Sequence, residues 1–422
     1  MSSNILKSPR GMRSYLPETA LELEEIEGNI RQTFRLWGYQ PFITPTLEYY
    51  EALTVGMGSR LKKELYKFID YEGNILTLRP ELTAPIARSI AARVGEMTLP
   101  GRFSYSASVF RYDEPQTGKN REIYQMGVEL IGEGQSKADA EALILAIEAI
   151  LKTGLRDFKF DIGHTGYLDG IIEELELDRE EIDQIKTYLN GKNIVGLNNY
   201  IEKLGIANKD LLYKLSGLRG GKEILNKAGD MVSNKRSREA LQNLRDIYAY
   251  VADYGLADYL TFDLGLIRGF DYYTGVVFEG FTEKLGYTIC GGGRYDNLIR
   301  QYCQRDIPAI GFAIGLERVR LALKKQSYHF QEDKIDDLFL FPADKRKLAL
   351  ATARTMREKG YIIILEERDV LSNELIEYAG EIGTGRIVSF HSAGSVEVVN
   401  IKDKERFKQE ISEGWEGILW PK

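Results

Sequence analysis

The chain has 422 residues, enough for two or three domains with ample core, and a net charge of −7 that gives no electrostatic invitation to nucleic acid or to an anionic membrane. Two cysteines, Cys290 and Cys303, exclude a disulfide framework, and three dispersed histidines, His164, His329 and His391, argue against a metal site, so no metal and no cofactor is expected. Residues 1–20 lack an apolar core and no apolar run reaches 18 residues, so the expectation is a cytoplasmic protein without a leader or a membrane span.

Residues 4–17 read as an irregular arm punctuated by prolines and a glycine. Pro17-Glu18-Thr19 opens a helix with Leu23, Ile26, Ile30, Phe34 and Trp37 at helical spacing, and Gly38 stops it. Tyr39 to Glu48, broken by Pro41 and Pro45, suits an edge strand or an interface. Tyr66 to Leu78 predicts a hairpin turning at Glu72-Gly73-Asn74, after which Arg79-Pro80-Glu81-Leu82-Thr83 leaves a strand and enters a helix. Glu81 suits equally a pocket wall and an acid at a helix N-terminus.

Arg102 to Gly132 predicts two strands around a loop over 113–120. On the outgoing strand Glu122, Tyr124 and Met126 share one face and Ile123, Gln125 and Gly127 the other, a register expected to bring Arg111, Gln125 and Glu129 near one end of the pair. A helix over 135–154 and a strand over 155–163 follow, then a Glu-, Lys- and Leu-rich helical insertion over about 166–255.

The densest stretch is Phe262 to Asp296. It pairs strand formers with Arg268, Tyr272, Tyr273, three consecutive glycines and Tyr295. Arg268 can clamp a carboxylate and the tyrosines offer flat walls with polar tips; a buried hairpin with a glycine bulge fits the same residues. Pro308 to Leu323 predicts a strand running into a helix, with Glu317 and Arg318 at the junction. After a polar linker over 326–334, the pattern alternates strands and helices as a small α/β domain with a largely parallel sheet, ending in a helix over 403–414. From Gln331 onward 14 basic residues stand against 18 acidic ones, which disfavours an RNA-binding surface.

Four separated motifs then agree in order and spacing: Phe110-Arg111 through Glu114-Pro115-Gln116, Arg121, Gln125, Gly127 and Glu129; IRGFDYYTG; GGGRYD; and PAIGFAIGLER. Together they resemble the histidyl-tRNA synthetase family of class II synthetases, over about residues 8–325 and more weakly beyond. The resemblance implies an α+β fold with an antiparallel sheet and flanking helices over 1–325, a homodimer interface near the N-terminus, and a C-terminal domain over 335–422 like an anticodon-binding domain. It also implies a histidine site: Glu81, Thr83 and Gln125 on the amino group, Glu129 and Tyr273 on the imidazole, Arg268 on the carboxylate side, with Arg111, Tyr272 and Tyr295 around it.

Two groups share this frame, the synthetase itself and the regulatory subunits of ATP phosphoribosyltransferase. Arg111, Arg121 and Arg318 can still clamp phosphate, which keeps an active synthetase as the alternative. Yet Ile123 stands where synthetases carry a phenylalanine, Lys119 where they carry an arginine, and Leu82 where a glycine follows the glutamate. The wording LRPELTAPIAR and LSGLRGG resembles the regulatory group, and the synthetase insertion motif NPLRxLD is absent. The resemblance therefore implies a non-catalytic regulatory subunit. Its implied partners are a short-form catalytic subunit, in a hetero-oligomer for the first step of histidine biosynthesis, and L-histidine as ligand.

Overall fold

The computed structural model describes residues 6–112, 120–175, 177–191, 193–204, 210–215, 217–267, 272–283, 285–331, 334–391, 394–411 and 420. The chain divides into two compact units, Met1–Phe330 and Gln331–Lys422.

The first unit is organised on a nine-stranded sheet. From one edge to the other its strands are Gln40–Pro41, Gly101–Phe110, Glu122–Ile131, Ala309–Gly315, Thr288–Arg294, Val276–Phe281, Lys159–His164, Leu260–Asp263 and Arg219–Gly220. The pairs are antiparallel except at Gln40–Pro41 against Gly101–Phe110 and at Lys159–His164 against Leu260–Asp263. Each central strand buries both faces, but against different material. Met126, Val128 and Leu130 enter a core with the helices Pro17–Leu36 and Ser136–Lys152, to which they bring Ile26, Ile30, Phe34, Leu143 and Ile147. The helix Pro17–Leu36 starts on the proline that suits a first helical position, and the chain reverses at Gly38 with φ +80°.

The opposite face of the sheet carries Ile123, Gln125, Gly127 and Glu129 and is partly covered by a second core. That core is drawn from the helix Thr83–Ala91 and from Tyr105, Tyr272, Tyr295 and Leu298. Between this core and the sheet lies the cleft described below. The pairing of Phe103 with Glu129 and Ala107 with Gln125 places Glu129 far from the loop end where Arg111 sits. The expected grouping of Arg111 with Glu129 at one end of the hairpin is therefore wrong, although Arg111 and Gln125 still line one cleft.

A three-stranded sheet of Leu47–Tyr49, Ile75–Leu78 and Lys67–Ile69 follows the first helix, the latter two strands joined by the expected hairpin, with Gly73 at φ +87° and the Asp70 carboxylate accepting from the Glu72 and Asn74 amides. Its alternation is inverted relative to a solvent-facing sheet. Glu48 and Thr77 point inward, Glu48 pairing with Arg88 at 2.9 Å, while Leu47, Tyr49 and Phe68 are exposed.

The insertion contains the helices Thr165–Glu173, Arg179–Asn190, Ile194–Leu204, Asp210–Leu215, Glu223–Gly229 and Lys235–Asp253. The second of these opens on a capping box between Asp178 and Glu181.

The second unit has a five-stranded sheet in the order Ile363–Glu367, Asp337–Phe341, Arg386–His391, Ser395–Asn400, Arg406–Glu410. Two findings correct the sequence reading. The sheet is half antiparallel rather than largely parallel, and Arg406–Glu410 is a strand where a helix over 403–414 was expected; residues 412–414 lie outside the described residues. The cause is the turn before it. Asn400 and Asp403 side chains accept from the Lys402 and Glu405 amides, and Lys404 takes φ +59°, which closes a hairpin before helical turns can start. The buried Asp337 anchors this unit by accepting from Arg386 at 2.7 Å and from the Trp420 indole at 2.6 Å.

Candidate functional site

The cleft opens on the sheet face opposite the long helices and encloses about 770 Å³, part of it open to solvent. Its inner wall is the strand Glu122–Ile131, where alternation sends Ile123, Gln125 and Glu129 to the same side. Glu129 is fully buried. Thr83 donates its hydroxyl to one carboxyl oxygen at 2.8 Å, and the Tyr295 hydroxyl reaches the other in a very short hydrogen bond. Burial pushes the Glu129 carboxyl up to about 8, against the opposing pull of the Tyr295 and Thr83 hydrogen bonds. At neutral pH it is therefore mostly protonated.

Two glycines mould the space around this carboxyl. A Cβ at Gly311, on the neighbouring strand, would fall 1.8 Å from Glu129 Oε2, and one at Gly127 would fall 2.3 Å from the Tyr105 hydroxyl. The sequence puts Gly127 on the same strand face as Ile123 and Gln125 and Gly311 within a strand motif, but its pattern gives neither glycine this moulding role. The three consecutive glycines divide in role. Gly292 faces the core, where a Cβ would meet Phe312 and Phe278, whereas Gly291 lines the cleft and Gly293 backs the Tyr273 ring.

Glu81 sits at the entrance to the helix Thr83–Ala91. Its carboxylate accepts from the Thr83 amide at 2.5 Å and the Ala84 amide at 2.9 Å, so it caps that helix and lines the cleft at once. Burial raises its pKa, which the two amides and Arg111 oppose. Tyr272 leans on Tyr273 at 4.9 Å and on Tyr295 at 5.8 Å, forming an aromatic wall. Arg268 lies outside the described residues. Every other expected site residue, Glu81, Thr83, Arg111, Gln125, Glu129, Tyr272, Tyr273 and Tyr295, comes to this one cleft or to its buried wall. Glu129 also takes a hydrogen bond from the Tyr295 hydroxyl, a residue the sequence reading placed around the site without a partner.

At the outer end stand two guanidinium groups. Arg111 donates to the Pro80 carbonyl at 2.8 Å, and Arg318 donates to the Thr288 carbonyl at 2.7 Å while lying 5.3 Å from the Tyr287 ring centre. Burial and the neighbouring Arg111 both hold the Arg318 pKa below its usual value. The third arginine expected to face phosphate, Arg121, stacks on Tyr112 at 3.9 Å beside the N-terminal arm and does not line the cleft. Leu82 and Ile123 do line it. Among the described residues no group of His, Cys, Asp and Glu side chains is arranged to hold a metal ion.

Residues 11–319 match the family model described as histidyl-tRNA synthetase. A relative from Halothermothrix orenii is 52% identical over 403 residues, covering 96% of each chain, and one from Acetivibrio thermocellus is 33% identical over 96% of this chain and 97% of its own. Both are named ATP phosphoribosyltransferase regulatory subunit. This chain belongs to that family. A Bacillus halodurans structure described as an ATP phosphoribosyltransferase regulatory subunit/histidyl-tRNA synthetase superposes with a TM-score of 0.82 at 33% identity, covering 91% of this chain and 98% of its own. The histidyl-tRNA synthetase of Nostoc shares the fold, at a TM-score of 0.81 and 20% identity over 98% of this chain and 99% of its own. Membership in the regulatory-subunit family makes the chain a regulatory component of ATP phosphoribosyltransferase and not an enzyme by itself, on a class II synthetase-like fold. The regulatory reading thus prevails over the active-synthetase alternative.

Proposed function

We propose that the chain works in the cytoplasm with a separate short catalytic subunit. Together they make phosphoribosyl-ATP from ATP and phosphoribosyl pyrophosphate, and the cleft around Glu129 holds L-histidine as the regulatory ligand. The observation that carries the ligand is the Glu129 carboxyl held between Thr83 and Tyr295 in a dry wall. An imidazole presents one N–H and one lone pair, and a carboxyl flanked by two hydroxyls can meet either. An apolar isostere would leave these buried polar groups unpaired, at about 1–3 kcal/mol each. Regulation then follows from linkage: histidine binds one arrangement of the assembly better, and catalytic output follows that population.

The retained Arg111 and Arg318 do not favour adenylation, because both donate to carbonyls of their own wall and no flat aromatic replaces the phenylalanine position occupied by Ile123. A homodimer within the larger assembly suits the exposed Leu47, Tyr49 and Phe68 face of the three-stranded sheet. The decisive measurement combines calorimetric histidine binding with phosphoribosyl-ATP formation on mixing with a short-form catalytic subunit. Restored transferase activity, together with histidine binding that is lost in Glu129→Ala, supports the reading. Histidine-dependent exchange of pyrophosphate into ATP by the chain alone would overturn it.

A further inference from the structure

A second cavity, larger than the first, lies beside the sheet on the insertion side and encloses about 1470 Å³, part of it open to solvent. Its roof is Leu189, Ile194 and Leu197 from the helices Arg179–Asn190 and Ile194–Leu204, and its base includes Leu266, Ile267 and Phe281. Among the described residues, the charged ones that line it are Asp161, Asp263, Glu279 and Glu283 against Arg219. Arg219 is itself committed to Asp161 at 3.0 Å, so it adds no net positive character to the wall.

One further residue of the wall carries an unpaired polar group. Thr282, 4% exposed, lines the cavity, and its hydroxyl has no hydrogen-bond partner among the described residues. A buried hydroxyl left unpaired is destabilising, and that cost is removed once docking opens the wall and supplies a partner. The cavity also adjoins the cleft. Thr288 lines both, and it is the Thr288 carbonyl that fixes Arg318, whose guanidinium rests on Tyr287.

We propose that this cavity receives a basic segment with apolar flanks from the catalytic subunit, an inference that rests on the partnership proposed above. Among the described residues, four carboxylates stand against one guanidinium, a balance that disfavours an anionic ligand or nucleic acid and favours a lysine- or arginine-bearing chain. The cavity is open to solvent along one side, as a site for a segment of a longer chain must be. The apolar roof supplies the buried anchor that such a segment needs. Occupation shifts the Tyr287–Thr288 segment, and through Arg318 the docking event and the ligand cleft become one coupled system.

The test measures association of the full-length chain with a short-form catalytic subunit by sedimentation velocity. It compares the unmodified chain, the double variant Ile194→Lys/Glu283→Lys, and Thr282→Val. Ile194 and Glu283 are exposed, so the double variant keeps its melting temperature and its histidine affinity while association weakens at least tenfold. Thr282→Val, which replaces the orphan hydroxyl with a methyl of the same shape, weakens association a few-fold without lowering stability. A folded double variant that associates like the unmodified chain overturns the docking site and leaves the partnership intact. Failure of the unmodified chain to associate overturns the partnership and the docking site with it.

Discussion

At the inner end of the cleft both oxygens of a fully buried carboxyl are taken by hydroxyls of Thr83 and Tyr295, whereas at the outer end Arg111 and Arg318 give N–H groups to carbonyls of their own wall. The inner end is desolvated and moulded by glycines. The outer end keeps two guanidinium groups, each tied to the wall by a hydrogen bond to a backbone carbonyl. The two ends of the one cleft thus differ in burial and in what their polar groups bond to, and substitutions at them should have unlike effects.

The sharpest break is expected at Gly311→Ala. Its methyl has no room beside Glu129, and overpacking there costs about 3 kcal/mol in urea unfolding and abolishes histidine binding. Next is Glu129→Gln, which keeps the shape but changes the hydrogen-bonding pattern; calorimetry should show histidine affinity falling about 30-fold, roughly 2 kcal/mol. Tyr295→Phe removes one hydroxyl from the buried carboxyl and should cost about 1 kcal/mol in stability and roughly fivefold in affinity. The smallest effect belongs to the outer end: Arg318→Met should change histidine affinity less than about twofold and stability by about 0.5 kcal/mol. Equal losses from Tyr295→Phe and Arg318→Met would erase the distinction between the two ends.

The pH dependence sharpens the same contrast. The Glu129 pKa is raised to about 8 in the folded chain, above its ordinary 4.5, so the folded state holds a proton that the unfolded state releases. That contribution is fully present below about pH 4.5 and is lost as pH rises towards 8, at up to about 1.4 kcal/mol per pH unit. Melting temperatures of the unmodified chain should fall across this window more steeply than those of Glu129→Gln.

Much of this site was legible because strand periodicity is a local rule. Alternation alone put Ile123, Gln125 and Gly127 on one face, and that face is the cleft. The tyrosine on Glu129 was not legible. Tyr295 follows the last strand residue, Arg294, and its direction is fixed by its amide bonding to Ala309, a strand known only once the sheet is assembled. Arg111 and Glu129 were grouped wrongly because strand length, not pattern, sets their separation along the hairpin. The last strand of the second unit was misread as a helix for a related reason: Lys- and Glu-rich segments fit a helix by composition, and the turn at Asn400 and Asp403 overrides it. The orphan Thr282 hydroxyl leaves no trace in sequence at all.

The strand order has a consequence for the moment of synthesis. Ala309–Gly315 lies between Glu122–Ile131 and Thr288–Arg294, so the strand bearing Glu129, paired on one side with Gly101–Phe110, lacks its second neighbour until residue 315 has been made. At about 5–20 residues per second, the 184 residues from Ile131 to Gly315 take roughly ten to forty seconds to add. Throughout that interval the nascent chain carries an unpaired, largely apolar strand edge, which makes it a natural client for ribosome-associated chaperones.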